Sequence, residues 1–154
     1  MMIVGSDFID NNTSFNTVMK RNGPNVFVQA YAESGIVANT PMAVQFMGSG
    51  YNATVLIGSV YGYVGLPEDG ASLASGCVGW VQIRGKASDV QGGTASFKGS
   101  VGHNVYWAGG TGLGATVSGN VGNQDIGQVG VLLEEADDST TALIYLTGMW
   151  ATPI

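Results

Sequence analysis

Glycine punctuates this chain at intervals that leave room for strands and for little else. There are 25 glycines in 154 residues, roughly twice the usual share, and the apolar runs between them are short, β-branched and aromatic. Val26-Phe27-Val28-Gln29-Ala30-Tyr31, Met42 to Met47 and Ala53 to Tyr61 are the first three. Cys77 to Gly85 alternates, with Val81 and Ile83 on one side and Trp80, Gln82 and Arg84 on the other. Thr94 to Phe97, Asn104 to Trp107, Ala115 to Ser118, Gln128 to Leu133 and Thr141 to Trp150 follow, with glycine or other turn residues between them. Short strands at about ten-residue spacing read as an all-β fold, a single antiparallel β-sandwich or small β-barrel. Within the runs, Gly58, Gly62, Gly79 and Gly130 signal bulges, tight bends or close backbone approach.

The strand pattern starts at Asn25, which divides the chain into an N-terminal arm, 1–24, and a β domain, 25–154. The arm sets Phe8, Phe15 and Met19 among Asn, Thr and Ser. It has too few apolar residues to fold alone and too many large ones for a purely solvated tail. An arm that orders on a neighbouring subunit satisfies both conditions; an N-terminal strand or short helix packed on the domain itself is the alternative. One short helix is expected over Leu66 to Ala74, with Pro67 at its first position and Glu68 and Asp69 in its first turn.

Charge narrows the partners. Charged residues make up 10% of the chain and the net charge is −6. The five bases are dispersed, which argues against nucleic acid and against an anionic membrane surface. No run reaches the ~18 apolar residues of a membrane helix, and Met1 to Asp7 lacks the basic region of a signal peptide. So weakly charged a surface implies coverage by neighbours.

No motif in the sequence calls for a catalyst or a cofactor. One His and one Cys cannot build a zinc site. Glu134-Glu135-Ala136-Asp137-Asp138 lacks calcium-loop spacing and reads as a solvated hairpin loop. Cys77 reads as a buried, inert thiol, and His103 as a turn residue at a strand entrance. Gly79 to Lys86 has the wrong spacing for a phosphate loop. Gly109 to Gly114 runs into strand rather than helix, so it makes no dinucleotide site. No catalytic residue, metal ligand or cofactor-binding residue is assigned.

Gly79-Trp80-Val81-Gln82-Ile83-Arg84-Gly85-Lys86-Ala87 carries a resemblance. Preceded by a Gly/Ala/Ser-rich turn, and followed by a Gly-rich turn and the strands Gln128 to Leu133 and Thr141 to Gly148, it resembles tailed-bacteriophage capsid decoration, or cement, proteins. The resemblance covers roughly residues 60–150 and rests on strand pattern and composition. It implies a non-enzymatic virion protein on the capsid exterior, made in the host cytoplasm. It would bind the major capsid protein, self-associate as a homotrimer at local three-fold positions, and stabilise the shell. Phe8, Phe15, Met19, Trp80, Arg84, Tyr106 and Trp107 are the candidate subunit or capsid contacts. The alternative is a receptor- or carbohydrate-binding module of a fibre or spike, with an exposed aromatic platform at Trp80, Tyr106 and Trp107. An enzyme is the weaker third reading.

Overall fold

The structure is a computed structural model describing residues 19–47, 50–55, 62–92, 96–107, 113–115, 128–148 and 150–151. Phe8, Phe15 and Gly58 lie outside the described residues. Within them the chain is all strand apart from turns and one 3-10 turn.

The strands are β1 (Met19–Asn22), β2 (Asn25–Ala32), β3 (Met42–Phe46), β4 (Tyr51–Val55), β5 (Gly62–Pro67) and β6 (Val78–Gln91). They continue with β7 (Phe97–Gly99), β8 (Asn104–Trp107), β9 (Leu113–Ala115), β10 (Gln128–Leu132), β11 (Ala136–Ser139), β12 (Thr141–Leu146) and β13 (Trp150–Ala151). Pairing runs β2-β4-β3-β5-β6, and β6 returns to β2, so five strands close into a barrel. The β2–β4 pair is parallel and the other four are antiparallel. Closure leaves these five strands with partners on both sides and no open edge. Of the two architectures the sequence leaves open, the barrel is therefore the one built.

A ring of five strands is narrow, and its interior must be filled by modest side chains. Val26, Val28, Ala30, Met42, Val44, Ala53, Val81 and Ile83 form that interior core. Gly65 belongs to the same economy of space. A Cβ there would stand 2.5 Å from Val81 Cγ1 and 2.9 Å from Val44 Cγ2. Ile36 and Leu73 bond to each other through their backbones and join the same core. The alternation across Trp80 to Arg84 matches: Val81 and Ile83 point into the barrel, while Trp80, Gln82 and Arg84 face out.

Beyond Arg84 strand β6 leaves the barrel. Its second half, Gly85 to Gln91, pairs with β12 and opens a second sheet in the order β6-β12-β10-β8-β9-β7-β11. Ala43, Val64 and Leu66, on the outer face of β3 and β5, pack against Phe97, Val105, Trp107, Leu132, Ile144 and Leu146 in a second core. One long strand thus serves two cores. The switch falls at Gly85, whose φ is 106°, next to a register shift between β2 and β6.

Three segments differ from expectation. Leu66 and Pro67 end strand β5, and only Glu68–Gly70 turns as a single 3-10 turn. Burial of Leu66 in the second core outweighs the helical preference of the segment. Cys77 is exposed rather than buried. It lies in the turn before β6, where its amide bonds Ala74 O and its carbonyl accepts from Ala32 N, and only at Val78 does the strand begin. The acidic stretch is partly strand: β11 pairs with β7, and Lys98 bridges Asp138 at 3.4 Å.

Met19–Asn22, counted with the arm from sequence, form β1 and pair with β2 across a tight turn in which Gly23 has φ 59°. His103 stands in the turn before β8, as expected, with its Nδ1 accepting from Ser100 N at 3.2 Å. Gly130 is a site of close approach, since a Cβ would meet Tyr145 O at 2.5 Å.

Candidate functional site

The outer wall of the barrel along β2 and β6 carries a ladder of cross-strand pairs. Tyr31 lies opposite Val78, Gln29 opposite Trp80, and Phe27 opposite Gln82. The ladder grades from open to covered. Tyr31 and Val78 are exposed, Trp80 is half-buried, and Phe27 and Gln82 are buried. The cover at the closed end comes from β1. Lys20 sits opposite Phe27, and its Nζ lies 4.6 Å from the centroid of Trp80 and 5.3 Å from that of Phe27. The same ammonium bonds Glu68 Oε1 at 2.5 Å. Both partners are mostly shielded, with side chains 14% and 28% exposed, so this pair is screened less than a surface bridge.

This latch ties β1 and the 3-10 turn to the barrel wall. Lys20→Ala removes the cation from two rings and leaves Glu68 half-buried and unpaired. It should cost about 1–2 kcal/mol, read as a lowered urea midpoint with an unchanged slope. A midpoint equal to that of the parent would show that the latch contributes nothing.

Beside the latch lies a cleft of about 490 Å³. Its walls come from five places distant in sequence: the β1–β2 turn with Asn22 and Asn25, Phe27 of β2, Asn39 before β3, the end of β5 with the 3-10 turn, and β6 around its switch. The lining is dominated by amide, carboxylate and hydroxyl groups. Asn25 Oδ1 accepts from Lys86 N at 2.9 Å, which pins the turn to β6. Gln82 is 7% exposed, and its Nε2 donates to Arg84 O at 3.2 Å and Lys86 O at 3.0 Å. Asn39, Asp69 and Asp89 all have left-handed backbones, with φ of 57°, 55° and 55°, and all three line the cleft. Asn and Asp tolerate that region better than other side-chain-bearing residues. Among the described residues no group of three His, Cys, Asp or Glu is placed to hold a metal ion.

A second apolar area marks one end of the barrel. Phe46 and Met47 are 50% and 56% exposed, and the Phe46 ring meets Tyr51 edge-on at 5.4 Å between centroids. Partial burial raises the Tyr51 phenol above its ordinary value of 10.0, and Tyr63 adds to the shift.

The sequence-derived contact residues do not form one surface. Trp80 and Arg84 share the outer face of β6, and Met19 leads into the latch strand at 42% exposure. Tyr106 and Trp107 are each only 8% exposed. Trp107 packs in the second core, and Tyr106 Oη accepts from Asn104 Nδ2 at 3.1 Å. An exposed platform of Trp80, Tyr106 and Trp107 is therefore not built, because packing on the faces of the second sheet covers both β8 rings. The cleft is not visible in the sequence. Its residues are individually ordinary, and only barrel closure and the switch at Gly85 bring them together.

The described fold defines a class: a small closed mixed barrel whose longest strand runs on into a second, mostly antiparallel sheet. The chain is similar in structure to the head fibre gp8.5 N base of bacteriophage phi29. The TM-score is 0.50 at 16% sequence identity, and the match covers 83% of this chain and 98% of that one. No protein-family profile and no curated protein matches the chain by sequence.

Proposed function

We propose that this chain is a non-enzymatic structural component of a tailed-phage virion that attaches to the outside of the capsid shell and stabilises it by binding the major capsid protein. The fold likeness to a phage head-fibre base, spanning almost the whole of that base, is the observation that carries the reading. The strand pattern around Gly79 to Ala87, with its resemblance to decoration proteins, points the same way. The surface agrees in kind. Few charges and exposed Tyr31, Phe46, Met47 and Val78 suit a protein whose surface is partly covered by neighbours. A homotrimer at local three-fold positions fits the closed symmetry of such assemblies, and multivalent attachment turns weak contacts into stable decoration. The fold likeness equally supports a second reading, the base of a head fibre.

Met19, Trp80 and Arg84 are the candidates for shell or subunit contact among the described residues; Phe8 and Phe15 are the further candidates from sequence. Mixing the purified chain with head particles of the parent phage that lack it, then imaging by cryo-electron microscopy, tests the proposal. Many copies around local three-fold axes are expected under the decoration reading. Fibre-bearing copies at fixed shell positions would favour the fibre base, and no particle binding would sink both. Deleting residues 1–18 keeps β1 and its Lys20 latch. It should leave a folded barrel and weaken particle binding roughly tenfold or more, the contribution of burying one or two large side chains. Binding at parental affinity would remove the arm from the attachment.

A further inference from the structure

We propose that the polar cleft beside the Lys20 latch is a binding site for a neutral polyhydroxylated ligand, a short carbohydrate. The inference stands on the cleft itself and does not depend on where the protein is attached.

Gln82 is the central observation. It is more than nine-tenths buried, and its amide nitrogen is committed to Arg84 O and Lys86 O. Its carbonyl Oε1 has no hydrogen-bond partner among the described residues. Ser34 Oγ is the sole fully buried side-chain polar atom there without a partner, so Oε1 keeps contact with solvent, and the cleft is what Gln82 lines. The amide is therefore fixed by its nitrogen end and presents a preoriented acceptor to whatever enters the cleft. Sugar hydroxyls are donors that suit a carbonyl oxygen.

The rest of the lining selects the ligand class. Asn22 and Asn39 each offer both a donor and an acceptor, while Asp69 and Asp89 offer acceptors only. Donors and acceptors in mixed array fit hydroxyl groups, which do both. Glu68 is neutralised by Lys20, which leaves two carboxylates against Lys86 in the lining. An anionic sugar or phosphate would meet repulsion there. Among the described residues the carboxylates belong to no group of three His, Cys, Asp or Glu that could hold a metal ion. Phe27 and Pro67 supply apolar wall, and the volume falls within the range of about 300–1,000 Å³ usual for small-ligand sites.

The test is titration of the intact chain with N,N′-diacetylchitobiose, maltose and cellobiose, followed through the side-chain amide resonances of Gln82, Asn22 and Asn39. At least one sugar should shift those resonances saturably, with a dissociation constant on the order of 1 mM. Ser88→Trp, at an exposed position of the lining, fills the cleft. Asn39→Asp keeps a residue tolerant of its left-handed backbone but removes a donor. Weakening of roughly tenfold or more in either variant, with its remaining spectrum native, supports the site. Three results would overturn it: no response to any of the sugars, a response unchanged in both variants, or saturable shifts with tetralysine and none with sugar. The last would give the cleft to a basic peptide instead.

Discussion

Gly85→Ala should lower stability by about 3 kcal/mol, a fall in Tm of roughly 10 °C for a chain of this size. Two effects add at this position. The backbone φ of 106° lies where an L side chain is strained by about 1–3 kcal/mol. The new Cβ would also stand 2.7 Å from Asn25 Cα and closer still to Asn25 Oδ1. That oxygen is the acceptor for Lys86 N, so the added methyl also breaks the bond joining the β1–β2 turn to β6. Gly76→Ala separates the two effects. Gly76 has φ 79° with nothing within 4 Å of its Cβ position, and should show the backbone strain alone, about 1 kcal/mol. Equal Tm shifts for the two variants, measured calorimetrically, would mean that the crowding against Asn25 contributes nothing.

Phe97→Ala is expected to cost more, about 3–5 kcal/mol. The ring is fully buried in the second core, among side chains from both the appended sheet and the outer face of the barrel. Its loss leaves a cavity that a sheet pinned on one side by β6 and β12 cannot fully close. Because the barrel interior has its own core, the damage should be local. Native-state hydrogen exchange should show protection falling in β8, β10 and β12 before β2, β3 and β4. Loss of protection to the same extent in both parts would mean that the two cores open as one unit.

How much of this was legible beforehand differs by segment, for physical reasons. The strands β2, β3, β8 and β10 lie close to where β-branched and aromatic runs between turn residues put them, because there local preference and tertiary burial agree. The facing of Val81 and Ile83 against Trp80, Gln82 and Arg84 was readable from period two alone. β1 could not be placed from sequence because Met19-Lys20-Arg21-Asn22 has no apolar alternation. What makes it a strand is its pairing with β2 and the Lys20 latch. The end of β5 was hidden behind a helical signature in Leu66 to Ala74, which long-range burial of Leu66 overrode. Cys77 looked interior by its neighbours, yet it sits one residue before the strand that would have buried it.

The sequence by itself determined that this chain builds strands, where most of them run, and that it carries little charge. These are properties of composition and of short-range spacing, and they survive any arrangement of the strands. Tertiary structure decided the rest. It closed five strands into a barrel instead of a sandwich, split β6 between two cores at Gly85, buried Tyr106 and Trp107, and gathered Asn22, Asn39, Asp69, Gln82 and Asp89 around one cleft. Each of those outcomes depends on which strand edges pair across tens of residues. That choice is settled by the packing of whole faces against one another, and no local run of residues encodes it.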